Sequence, residues 1–114
     1  GIAERELFPL MEGILRAERN LSDDECELLG ENLVASHAGR AKELFMDWTR
    51  STKWYSVRRI TIWQTQQKSA ISGLSVLPGQ ESVDRILEYR AEANVEMAEF
   101  CMKRLVKRRQ LGIV

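Results

Sequence analysis

The stretch VRRITIWQT, residues 57–65, decides the fold class, because two periods run through it. Val57, Ile60 and Trp63 recur at the i, i+3 spacing of a helix, whereas Ile60 and Ile62 alternate as in a strand. A strand needs a second strand to answer its backbone hydrogen bonds, and no other segment of the chain reads as one. The stretch is therefore expected to lie in a helix from about Trp54 to Leu74, which makes the whole chain all-α. Gly73 and the LPGQ turn, residues 77–80, are expected to end that helix.

Working outward, the segment from about Glu81 to Gln110 sets Val83, Ile86, Leu87, Met97, Cys101 and Leu105 on one face, flanked by Tyr89, Ala93 and Phe100. Its back carries Asp84, Glu88, Glu92 and Glu96 at four-residue spacing, a row of like charges that repel weakly unless a cation lies alongside. On the other side, Ser22-Asp23-Asp24-Glu25 forms a capping box, in which the Ser and Glu side chains each satisfy a backbone N–H at the start of a helix. That helix is expected to run from about Ser22 to Arg50, with Cys26, Gly30, Leu33, Val34, His37, Ala41, Leu44 and Trp48 along its inner face. The first helix has Pro9 as an early residue and Leu7, Leu10, Ile14 and Leu21 at helical spacing. The expectation is one domain, residues 1–114, built as a four-helix bundle with long second and fourth helices.

The chain is formally neutral but not evenly so. Residues 1–50 carry eleven acids against six bases, residues 51–114 carry six acids against eleven bases, and from Trp48 to Gln80 there is no Asp or Glu at all. Such polarity suits a phosphate, an acidic protein surface or the chain's own acidic half. Within the acid-free stretch, Arg58, Arg59 and Lys68 are candidate phosphate or partner contacts, and Trp54 and Tyr55 are candidate stacking residues for nucleic-acid bases. The segment KRLVKRR adds Lys103, Arg104, Lys107, Arg108 and Arg109, more cations than the end of a helix dipole calls for. The tryptophans also suit a bundle core, with the bases as a solvated face.

His37, Arg90 and Asn94 interrupt apolar faces and are expected to meet in a buried polar cluster, since buried polar groups are hydrogen-bonded and a buried Arg is paired. Cys26 and Cys101 fit neither CxxC nor zinc spacing, so no cofactor or metal is expected, and a reducing, cytoplasmic setting is. The longest uncharged run, SAISGLSVLPGQ at residues 69–80, is about half a membrane span, so no membrane partner is expected. A first residue of Gly reads as a processed or excised product.

Residues 6–33, ELFPLMEGILRAERNLSDDECELLGENL, partially resemble the second half of hemerythrin-like cation-binding domains, in which an LFP turn opens one helix and an LS..E...LG pattern opens the next. The resemblance covers about a quarter of the chain and implies a four-helix bundle. Such domains hold a di-iron centre with several histidines and carboxylates. This chain has one histidine, and Gly1 and Ala3 fall where ligands would stand, so the resemblance implies a bundle whose metal function is lost. The functional expectation is a non-enzymatic helical interaction or assembly module that meets itself or a protein partner. The alternative is a nucleic-acid-binding module using residues 48–80 and the KRLVKRR segment.

Overall fold

The computed structural model describes the backbone of residues 4–17, 21–50 and 60–114, and the side chains of residues 7–17, 21–50 and 64–114. Among the described residues the chain is all-α, with helices α1 (Glu4–Arg16), α2 (Asp23–Ser36), α3 (Ala38–Trp48), α4 (Ile60–Val76), α5 (Gln80–Glu92) and α6 (Val95–Leu111), and no strand. The part of the ambiguous stretch from Ile60 onward lies in α4, so its helical period prevails over its alternation; residues 57–59 lie outside the described residues.

The capping box forms as its sequence requires. Ser22 Oγ accepts from the Glu25 amide at 3.2 Å, and Glu25 Oε1 accepts from the Ser22 amide at 3.0 Å. The hydrogen bond from the Ser22 backbone, and then that of its side chain, holds the Glu25 carboxyl below the usual carboxylate range.

Neither long helix is continuous. The expected helix from Ser22 to Arg50 breaks at His37, whose extended backbone (φ −157°, ψ 91°) closes α2 and opens α3. The expected helix from Glu81 to Gln110 breaks at Ala93 and Asn94, both extended (ψ 158° and 170°). At each break a side chain takes over a helix start: His37 Nδ1 accepts from the Arg40 amide at 3.1 Å, and Asn94 Oδ1 accepts from the Met97 amide at 2.9 Å. Apolar spacing continues across both breaks, which is why periodicity alone does not reveal them.

Helix α4 runs through the middle of the molecule. Residues 69–75, SAISGLS, are all buried, and the helix continues past Gly73 to Val76. Small side chains let the neighbouring helices approach closely. A methyl added at Gly30 of α2 would land on the Ser69 carbonyl, and one added at Gly73 would land in the Phe45 ring of α3. Around this axis the core gathers Phe8 and Leu15 from α1, Leu33, Ala41, Phe45 and Trp48 from α2 and α3, Ile71 and Leu74 from α4, and Ile86, Tyr89, Met97, Phe100 and Cys101 from α5 and α6.

Candidate interaction surface

The KRLVKRR segment lies in α6, and its charges divide by direction. Arg104 is completely buried, and its guanidinium donates to Glu27 Oε1 (2.9 Å) and Glu31 Oε1 (2.8 Å) of α2, and to Ser75 Oγ (3.0 Å) and the Ser72 carbonyl (3.2 Å) of α4. A planar fork with five donors suits this work, because it answers two carboxylates and an adjacent helix at once. Lys103 and Lys107 close the network from outside, reaching Glu27 Oε2 at 3.2 Å and Glu31 Oε1 at 3.0 Å. Burial pushes the Glu31 carboxyl up, but hydrogen bonds and charge from Arg104 and Lys107 outweigh it and hold the group below its ordinary value.

Arg108 is also turned inward. It donates to the carbonyls of Ser75 (3.1 Å), Leu77 and Gly79 (3.2 Å), which lie at and just beyond the end of α4. Those carbonyls have no helical partner of their own, and a cation at a helix C-terminus complements the dipole. Burial holds the Arg108 guanidinium below the usual arginine range.

Lys68 is directed to carboxylates as well, Asp23 Oδ1 at 2.8 Å and Glu96 Oε1 at 2.9 Å. Burial acts to lower its pKa; the two hydrogen-bonded carboxylates raise it further, and the net direction is upward. Of the candidate phosphate or partner contacts, Lys68, Lys103, Arg104 and Lys107 thus meet acids of the same chain, Arg108 meets backbone, and Arg109 is exposed. Arg58, Arg59, Trp54 and Tyr55 lie outside the described residues. Trp48 is buried, its ring centroid 5.9 Å from that of Phe45 and 5.4 Å beneath the Arg16 guanidinium.

The expected buried cluster of His37, Arg90 and Asn94 does not form. All three are exposed: His37 and Asn94 serve as helix caps, and Arg90 lines a groove on the outer side of α5 and α6. The buried polar cluster is instead Arg104 with Glu27, Glu31, Ser72 and Ser75; separately, the buried Tyr89 hydroxyl donates to Gln67 Oε1. Burial raises the Tyr89 hydroxyl above the ordinary tyrosine value, and burial lifts the Cys101 thiol to about 12. The acidic row Asp84, Glu88, Glu92, Glu96 is divided by the break after Ala93; Asp84 accepts from Gln80 Nε2 at 2.9 Å and Glu96 turns to Lys68. Among the described residues no three His, Cys, Asp or Glu side chains gather so as to hold a metal ion, and no helix is long and apolar enough to cross a membrane.

With Arg104 and Arg108 drawn inward, α6 presents an apolar line outward. Val95 is 74% exposed, Met102 40% and Val106 51%, spaced so that they follow one edge of the helix. A shallow groove of about 310 Å³ runs beside them, lined by Arg90, Val95, Ala98, Glu99 and Met102. Charges flank the line in order, Glu96 and Glu99 first and Lys103 and Lys107 after. A second apolar edge, Leu7, Leu10 and Ile14, faces outward from α1. On α6 the signal in the sequence is the apolar residue left over once the core face is assigned; on α1 the outward edge is the apolar spacing read from the sequence itself, and Phe8 and Leu15 fill the core in its place. Comparison with family models, curated proteins and solved structures finds no match to this chain.

Proposed function

We propose that this protein is a non-enzymatic helical assembly module that associates with itself through the outer face of α6. The observation that supports the reading is the orientation of that helix: Arg104 and Arg108 are spent on the inside, and Val95, Met102 and Val106 are left outside. Removing three such side chains from water favours association by about 1 kcal/mol each when the burial is partial. Exposed apolar residues in a row, rimmed by charges, are what protein-binding surfaces present.

The alternative, a nucleic-acid surface, rests on Arg58, Arg59, Trp54 and Tyr55 together with the exposed Arg109 and the half-exposed Lys103 and Lys107, since Lys68, Arg104 and Arg108 are engaged within the chain. Light scattering over a range of protein concentrations, with and without a random oligonucleotide at low and moderate salt, separates the two. The assembly reading expects a mass that rises from 13.1 kDa with concentration, ignores the oligonucleotide, and stays at the protomer value in Val106→Asp. A protomer that shifts onto the oligonucleotide and releases it as salt rises would establish the alternative in its place.

A further inference from the structure

We infer that the surface on which α6 docks is α6 of a second copy, laid antiparallel across a two-fold axis; this rests on the assembly reading above. The argument is the order of charge along the helix. Glu96 and Glu99 lie on one flank of the apolar line toward its N-terminal half, and Lys103 and Lys107 lie on the same flank toward its C-terminal half. When two helices pair antiparallel about a two-fold axis, the same flanks meet and the halves are exchanged. Glu99 of each copy then stands opposite Lys103 of the other, and Glu96 opposite Lys107. The same register sets Val95 against Val106 and leaves Met102 beside the axis, so charge and apolar spacing agree on one alignment.

Other arrangements lack that agreement. A parallel pair sets this charged flank against the opposite flank of the second copy, where Ala98, Leu105 and Arg109 stand and no matching order of acids and bases exists. The edge of α1 offers apolar Leu7, Leu10 and Ile14, but Glu12 and Arg16 beside it are paired with each other at 3.6 Å and carry no matching order. Lys103 and Lys107 remain 54% and 43% exposed while holding Glu27 and Glu31, and an ammonium has three donors, so each can reach a second carboxylate.

Size bounds the strength of the pair. Seventeen residues of helix span about 25 Å, and a contact strip about 10 Å wide covers about 250 Å² per copy. A stable interface buries about 800 Å² per partner, so this dimer is weak and closed at two copies.

Cross-linking by paired cysteines tests the alignment. Cys26 and Cys101 are fully buried, so single variants Val95→Cys and Val106→Cys each add one accessible thiol to the intact protein. The two positions lie about 16 Å apart along one helix. With one variant carrying a short tag and both treated with a short bis-maleimide, which adds one thiol to each ring, the expected product is the mixed dimer, several-fold in excess over either homodimer. Val95→Cys linking to itself as readily would show a parallel pair and overturn the inference. Leu10→Cys linking to Val106→Cys would show head-to-tail docking onto α1, which overturns the inference while leaving self-assembly through α6 intact. No cross-link together with a mass fixed at the protomer value would remove both.

Discussion

The two sides of α6 invert the usual division of labour in a surface helix. Toward the core the C-terminal half sends Arg104 and Arg108; toward solvent it sends Val106 and Leu111. The N-terminal half buries Met97, Phe100 and Cys101 and leaves Val95 and Met102 exposed. The difference lies in what each half meets. Met97, Phe100 and Cys101 join an apolar cluster, whereas Arg104 and Arg108 meet two carboxylates of α2 and the open carbonyl end of α4, surfaces that only a cation with several donors can satisfy. An inward arginine leaves its apolar neighbours facing out, so the network that fastens α6 also sets its outer surface.

The sharpest way to break the comparison is to remove the inner guanidinium. Arg104→Ala leaves Glu27 and Glu31 without their central partner, and urea unfolding is expected to show a loss of about 3–5 kcal/mol. Replacing Glu27 and Glu31 by Gln together with Arg104→Met is expected to return most of that loss; a loss below about 1 kcal/mol for Arg104→Ala alone would mean that solvent supplies what the network was thought to supply. The same network predicts a pH dependence. Glu31 titrates below its ordinary value of 4.5 in the folded protein, so the folded state binds fewer protons and the contribution of this group is fully present above that value and is lost as pH falls through the folded one. Acid unfolding of Arg104→Ala should accordingly be flatter below pH 4.5 than that of the parent; an unchanged slope would place the acid-sensitive group elsewhere.

A smaller effect is expected at the break between the two halves of the C-terminal arm. Asn94→Ala removes the acceptor for the Met97 amide and should cost about 1 kcal/mol in thermal unfolding, while Asn94→Asp keeps the acceptor and most of the stability. Equal losses in both would show that the amide group of Asn94, and not its cap, matters. The smallest effect belongs to the outer face. Val106→Asp should leave protomer stability within about 0.5 kcal/mol at concentrations where the protein is monomeric, even as it abolishes association. Unfolding by that substitution would show that Val106 is packed within the protomer.

The all-α character could be read from residues 57–65 together with the lack of any second strand signal, and the start of α2 from Ser22 and Glu25, because local chemistry fixes both. The breaks at His37 and Asn94 were harder. Both residues sit on spacings that continue an apolar face, yet each has a side chain able to cap a helix; Asn94, with Glu96 in the turn that follows, carries the clearer signal. The division of charge between the halves was visible, and the chain's own acidic half was among its natural partners. Which cations would be consumed internally was not legible, since Arg104 meets Glu27 only when residues 77 positions apart are brought together by tertiary packing.

That separation has a consequence in time. Helix α2 leaves the ribosome well before α6, and its carboxylates wait for Arg104, which reaches Glu27 and Glu31 across 77 and 73 positions. Contacts so distant in sequence form after the loop entropy between them has been paid, and they slow the approach to the native state relative to a helical protein held by local contacts. The clasp over the seam between α2 and α4 is thus supplied by the last of the six described helices to be synthesised, so nothing translated earlier can close it.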